Sequence, residues 1–165
     1  SSARVLRTTI GGVEFWSVYV PNGQSPESEK YAYKLSFLDA LAAMLAERSP
    51  SPRVVTGDFN IAPSDADATH PDKWRDTVLC TDAVRSRYHR MAQPPFVDAL
   101  AVGNPKPMPL TWWDYRQLAF PKNDGLRIDH ILAEAPSEVV AAGVDRDERK
   151  GKGASDHAPV WARIR

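Results

Sequence analysis

The stretch Val13-Glu14-Phe15-Trp16-Ser17-Val18-Tyr19-Val20 carries β-branched or aromatic residues on both of its alternating faces. That is the pattern of a strand covered on both sides. Such a strand requires a layered fold, because each apolar face needs another element to cover it. It ends at Pro21-Asn22-Gly23, a turn signal. Arg53-Val54-Val55-Thr56-Gly57-Asp58-Phe59 reads as a second buried strand, halted by the turn from Asn60 to Pro63. Between the two lies a helix, with Ser25 as N-cap, Pro26 at the first helical position and Glu27 in the first turn. Leu35, Leu38, Leu41, Ala42 and Leu45 give it one apolar stripe, and it should stop before Pro50.

Residues Thr77 to Met91 read as helical, with Arg85, Arg87 and Arg90 on a solvent face. A proline-studded loop covers Pro94 to Pro109. Four strand-like runs close the chain: Leu110 to Tyr115, Leu126 to Ala133, Val139 to Val144, and Ala158 to Ile164. Strands this closely spaced leave room for few parallel crossovers. The expected fold is therefore α+β, with a mixed or mainly antiparallel sheet and helices on its outer face.

Composition narrows the function classes only a little. Apolar residues make up 42% and charged residues 25% of the 165 residues, an ordinary globular balance. Apolar runs are too short for a membrane-spanning helix, and Ser1-Ser2-Ala3-Arg4 has no signal-peptide core. A single cysteine, Cys80, excludes an internal disulfide and a thiolate cluster, and it fits a reducing cytoplasm. Lys plus Arg equal Asp plus Glu at 21 each. A net charge of zero argues against bulk-electrostatic DNA binding, but not against an enzyme that grips phosphates locally.

The sharpest chemical signal is Gly57-Asp58-Phe59-Asn60-Ile61-Ala62-Pro63. Its aspartate and asparagine, two apart at a strand exit, point the same way. The second signal is Ser155-Asp156-His157-Ala158-Pro159-Val160, an acid and an imidazole at the entrance of the last strand. If those two strands are antiparallel neighbours, two carboxylates, an amide and an imidazole share one edge. Such a cluster calls for a cation and an anionic substrate to complete it. The plainer alternatives are an Asx turn at Asp58 and a turn cap at Asp156.

These motifs resemble the signatures of the exonuclease III family, which includes apurinic/apyrimidinic endonucleases, within the endonuclease/exonuclease/phosphatase superfamily. Tyr19-Val20-Pro21-Asn22-Gly23, Thr111-Trp112-Trp113-Asp114-Tyr115-Arg116 and Gly125-Leu126-Arg127-Ile128-Asp129-His130 complete five motifs in family order. The tryptophan-rich motif and its successor point to the DNA-repair branch rather than to sugar-phosphate or lipid phosphatases.

The resemblance implies a role for each matched residue. Asp58 would orient or deprotonate the attacking water, and Asn60 would fix it and donate to the phosphate. His157 would touch a phosphate oxygen, with Asp129 as its buried partner, and Tyr19 would offer its phenol to the same phosphate. Asp58, Asn60, Asp156 and His157 would form the chain's share of a metal site for Mg2+, with Mn2+ as an alternative. Asn22, Trp112, Leu126 and Ile128 would contact DNA, the last three lining a small apolar pocket for a base-free deoxyribose. Other readings stay open: Tyr19 as a strand-end aromatic, Asp129 as partner of Arg127 or Arg116, and Trp112, Leu126 and Ile128 as core. His130 faces the other side of its strand and has no assignment. The basic stretch from Arg146 to Gly153 is a solvated loop or a phosphate contact.

The implied fold is a four-layer α/β sandwich of two mixed, mainly antiparallel sheets flanked by helices. An asparagine and a metal-binding glutamate of the family's first half have no counterpart in the sequence. The expectation is thus a single incomplete domain over residues 1–165 with the N-terminal half absent. A half-sandwich would expose an apolar inner sheet face and so meet its missing half or self-associate. The implied activity is magnesium-dependent 3′-5′ exonuclease action on duplex DNA and incision 5′ to abasic sites, in a cytoplasmic protein. The isolated chain would be weakly active or inactive. The alternatives are a phosphatase acting on an inositol or lipid phosphate, and a catalytically dead fragment that binds DNA or a partner.

Overall fold

The computed structural model describes residues 3–103, 107–135 and 137–165. Among them five strands form one sheet: β1 (Val5–Ile10), β2 (Val13–Tyr19), β3 (Arg53–Asp58), β4 (Phe96–Asp98) and β5 (Asp129–Glu134), in the order β1-β2-β3-β5-β4. β6 (Val139–Val144) and β7 (Val160–Ile164) pair antiparallel in a second sheet. The helices are α1 (Glu29–Ala46), α2 (Pro71–Trp74), α3 (Asp82–Met91), α4 (Ala99–Gly103) and α5 (Ala119–Lys122).

The large sheet is mixed, as the strand spacing implies. α1 provides the one crossover, so β2 and β3 run parallel with Tyr19 opposite Asp58. β5 then runs antiparallel to β3 with Asp129 opposite Asp58. The C-terminal ends of β2 and β3 and the start of β5 therefore lie side by side.

Trp16, Val18, Val55 and Leu132 of the sheet pack with Leu38, Leu41 and Leu45 of α1 and with Val84 and Tyr88 of α3. The opposite face buries Val54 and Ile131 against Leu100 of α4 and Ala142 of β6. That second face is covered at its centre. Over β1 it stays open, leaving Leu6 70% and Ile10 64% exposed.

Several local expectations differ from the structure. β1, not among the expected strands, is an edge strand whose Leu6 and Ile10 face solvent while Val5 packs against the core. The cap of α1 is Ser28, not Ser25, because residues 25–28 close a turn first (Ser28 N to Ser25 O, 3.0 Å). The Ser28 hydroxyl then accepts from Tyr31 N at 3.1 Å. α3 begins only at Asp82, capped by Thr81. Leu110 to Tyr115 is extended but joins no strand, held by isolated bridges from Trp112 to Leu126 and to His157. Leu126 is tied to that segment, Arg127 N to Asp67 O and Ile128 O to Phe59 N, and β5 starts at Asp129. The loop expected from Pro94 to Pro109 holds β4 and α4, and its residues 104–106 lie outside the described residues. Finally, β7 pairs with β6 and not with β3.

Beneath the start of β5 sits a buried polar network. The Arg127 guanidinium reaches Asp67 and Asp98 at 2.6 Å each, and Tyr88 donates to Asp98 at 2.7 Å. Arg127 also donates to His130 Nδ1 at 3.1 Å, which leaves Nε2–H to donate to Ile61 O at 2.8 Å. Burial, and next the Arg127 charge, hold the His130 ring neutral with a pKa down to about 4. This network fastens the 61–67 segment and β4 under Ile128 and Asp129. It also engages Arg127, so Arg127 is not the partner of Asp129.

Gly57 explains how β3 and β2 approach so closely where the motif residues lie. Its φ is +143°, and a Cβ there would sit 1.9 Å from Val18 O. Gly57→Ala is therefore expected to destabilise the chain by about 3 kcal/mol, from backbone strain plus overpacking. A urea-denaturation midpoint measures it, and a loss under about 1 kcal/mol would contradict the close-approach reading.

Candidate active site

At the C-terminal ends of β2 and β3 a cleft of about 500 Å³ opens, lined by Tyr19, Asn22, Asp58, Asn60, Trp112, Ile128, Asp156 and His157 among others. Five separate segments supply these residues. The parallel β2–β3 pair brings Tyr19 and Asp58 level. Turn 20–24 carries Asn22, and the 155–157 segment leads into β7. The cluster expected from antiparallel neighbours does form, but across the two sheets. His157 Nδ1 meets Asp129 Oδ2 at 2.8 Å.

Thr111 makes that crossing stable. Its fully buried hydroxyl accepts from Ile128 N at 3.0 Å and Asp129 N at 3.1 Å, while its carbonyl accepts from Ala158 N at 2.8 Å. One residue thus ties the start of β5 to the lead-in of β7. Trp112 adds a second tie, donating Nε1–H to Asp156 Oδ2 at 2.9 Å.

Asp58 is held by its neighbour two positions on. The Asn60 backbone N–H donates to Oδ1 at 2.8 Å, and Asn60 Nδ2 to Oδ2 at 2.9 Å. Asn60 Nδ2 also donates to Val20 O at 3.0 Å, and its Oδ1 accepts from Asn22 Nδ2 at 3.1 Å. Both amide hydrogens and the oxygen of Asn60 are thereby engaged. Asn60 thus orients Asp58 and Asn22, and it lines the cleft itself.

The electrostatics of the cluster are unbalanced. Burial first, then the charge of Asp129, push the Asp58 carboxyl up to about 6. His157 is raised as well. Burial opposes its charge, but the Asp129 hydrogen bond and the charges of Asp129, Asp58 and Asp156 outweigh that. Asp58, Asp129 and Asp156 thus surround one imidazole, with the buried Lys34 behind Asp58.

A surplus of carboxylate beside an open cleft suits a cation, and Asp58 and Asp156 are the acids of this cluster on the cleft wall. Among the described residues, no three His, Cys, Asp or Glu side chains converge as a ready ligand set. His157 turns Nδ1 to Asp129 at 2.8 Å.

Two expected contacts change. Leu126 is fully buried in the core and does not line the cleft, because its backbone bridges Trp112 and turns its side chain inward. Asp129 stands behind His157 as the partner expected of it. The reading of Asp129 as partner of Arg116 also fails, since Arg116 grips Asp114 (Nη2 to Oδ2, 2.8 Å).

Sequence reasoning missed Trp74, which stands edge-on to Trp112 with centroids 5.8 Å apart, as well as Thr77, Val78 and Leu79. A four-residue α2 leaves no periodic signal for these positions. Asp114 and Arg116, also on the wall, lie inside a motif that had been singled out. The 146–153 stretch is not merely solvated: Arg149 is buried, its guanidinium 4.8 Å from the Tyr115 ring centroid. Arg85 pairs with Asp65, and Arg87 and Arg90 pair with Asp39. No helix among the described residues is long and apolar enough to cross a membrane.

This arrangement is shared with known proteins. Residues 2–157 match the family model described as the Endonuclease/Exonuclease/phosphatase family. The chain is 33% identical to exodeoxyribonuclease III of Haemophilus influenzae, over 97% of this chain and 64% of that protein. It is 29% identical to an exodeoxyribonuclease of Bacillus subtilis, over 95% of this chain and 62% of that protein. Among solved structures, an AP endonuclease from Archaeoglobus fulgidus superposes with a TM-score of 0.91 at 34% identity, covering 98% of this chain and 65% of that one. A 3′ phosphatase from Neisseria, bound to a product DNA hairpin, superposes at 0.93 with 35% identity and the same coverage. The chain thus spans slightly under two thirds of the length of these relatives. With the family model matched over residues 2–157 of 165, the chain belongs to the Endonuclease/Exonuclease/phosphatase family.

Proposed function

We propose that this chain carries the water-activating and phosphate-binding part of a divalent-metal-dependent DNA-repair nuclease, a 3′-5′ exonuclease on duplex DNA that also cuts 5′ to abasic sites. The observation that carries the reading is the convergence of Asp58, Asp129 and His157 from two sheets at one cleft whose wall also holds Tyr19, Asn22 and Asp156. The relatives named as exodeoxyribonuclease and AP endonuclease support a DNA substrate. The reading places the protein in the cytoplasm.

In this reading Asp58 takes a proton from the attacking water as its oxygen bonds to phosphorus. The phosphorus–O3′ bond breaks in line, leaving a 3′-hydroxyl and a 5′-phosphate. Asn60 keeps the Asp58 carboxylate aimed. His157, kept protonated by Asp129, donates to a phosphate oxygen, where a charged donor in a partly buried site is worth most. Tyr19, 54% exposed at the cleft edge, offers its phenol to the same group. Asn22 and the Trp112–Ile128 wall receive the sugar, and the apolar contact favours a deoxyribose without its base. Asp58 and Asp156 would hold the metal, magnesium or manganese, which when bound polarises the phosphate and eases departure of the leaving oxygen.

Asp58→Asn is expected to lower chelator-sensitive incision of abasic duplex by about 10³-fold in single-turnover assays with enzyme in excess. Undiminished cleavage would contradict the role of Asp58. Turnover of inositol or lipid phosphates in preference to abasic duplex would favour the phosphatase alternative.

The pH–rate profile gives a second test. Asp58 must be ionised and His157 protonated, so with magnesium the rate should fall on the acid side below the metal-free Asp58 value of about 6 and fall again above the raised His157 value. The negative charge of Asp129 raises both groups. Asp129→Asn should therefore move both limbs toward lower pH, besides reducing the maximum. Limbs that stay in place would show that the two groups are not coupled through Asp129.

A further inference from the structure

Lys34 is a full-length charged side chain with no exposed surface, in the second turn of α1. Its ammonium donates to Asn22 O at 3.1 Å, Asn60 O at 2.7 Å and Val78 O at 2.7 Å. A lysine ammonium has three N–H donors, and here three carbonyls accept them. The three acceptors lie 12, 26 and 44 residues away in sequence, on turn 20–24, on the exit of β3 and on the loop before α3. All three of those residues line the cleft.

The close packing of the stem points the same way. A Cβ on Gly23, at φ +102°, would lie 3.2 Å from Lys34 Cδ, so turn 20–24 rests directly on the lysine. Ser28 Oγ donates to Gly23 O at 2.6 Å, fixing the same turn to the start of α1. The helix itself is anchored by Leu38, Leu41 and Leu45, which continue the Lys34 face into the core. From that platform the bonds run onward without a gap. Lys34 holds the carbonyls of Asn22 and Asn60, Asn22 donates to Asn60 Oδ1, and Asn60 donates to both oxygens of Asp58. Burying a charge here is costly, and a methionine would fill the space without that cost.

We propose that Lys34 is a positioning residue for the cleft, its buried ammonium clamping three backbone carbonyls so that Asn22, Asn60 and hence Asp58 hold their working orientation. The catalytic arm of the test rests on the nuclease reading; the spectroscopic arm does not.

The test compares Lys34→Met with Leu41→Ala, a destabilising change in the core on the same helix. The side-chain amide signals of Asn22 and Asn60 are followed by NMR, and kcat and KM are measured per folded molecule on abasic duplex with magnesium. Lys34→Met should displace or broaden both amide signals and lower kcat by about 10²-fold, more than it raises KM. Leu41→Ala should lower Tm while keeping both signals and kcat. If Lys34→Met keeps the parent amide signals and kcat, or if Leu41→Ala loses them equally, the positioning role is overturned. Should the parent chain cleave nothing, the nuclease reading fails, and the amide signals alone decide the role of Lys34. If Lys34→Met does not fold, Lys34→Gln, of similar size but uncharged, carries the same comparison.

Discussion

His157 stands on the lead-in to β7 in the small sheet, and Asp129 opens β5 in the large one. The 2.8 Å bond between them spans the interface of the two layers. Without that contact the carboxylate at the exit of β3 would face an empty edge, and the second sheet would contribute no chemical group to the cleft. Thr111 and Trp112 secure the same crossing through the backbone of residues 128, 129 and 158 and through the Asp156 carboxylate. The imidazole is thus fixed from several directions, as a group meant to donate to a developing charge must be.

Around this bond the fold trades stability for charge placement. Asp58 is ionised only against its burial and against Asp129, while burial brings the pKa of the Lys34 ammonium down to about 7, where a hydrocarbon would cost less. Both are compensated by hydrogen bonds that stay within a few residues of the cleft. The other buried network, Arg127 with Asp67, Asp98, Tyr88 and His130, lies one layer deeper. It keeps the floor of the cleft rigid by closing its charges among themselves. Asp58 and His157 differ from that network in being shifted on the wall of an open cleft, where perturbed titratable groups favour a functional site.

Much of the site could be read from sequence because its residues cluster at strand ends in ordered motifs, where alternation fixes which way Asp58 and Asn60 point. Sheet partners could not be read so well. Both arrangements of β7 satisfy the same alternation, and the pairing with β6 follows from packing against α4 rather than from any local pattern. β1 gave no signal because Leu6 and Ile10 face outward. Ser25 and Ser28 offer the same capping chemistry three residues apart, and only the turn between them chooses. Lys34 was overlooked for a physical reason too. It stands in line with Leu38, Leu41 and Leu45, where a charge in an apolar stripe looks like an interruption rather than a clamp. Leu126 shows the converse error, since a motif position can belong to the core when its backbone, not its side chain, does the work.

In the proposed function Asp58, Asp129 and His157 act as one electrostatically coupled site able to accept a cation. A carbon-13 and nitrogen-15 NMR titration of the metal-free chain measures this directly, followed by the same titration with magnesium. The account predicts an Asp58 carboxyl midpoint near 6, a His157 ring midpoint above its ordinary 6.5, and a downward displacement of the Asp58 midpoint on adding magnesium. An Asp58 midpoint at the ordinary 3.8, indifferent to magnesium, would contradict it.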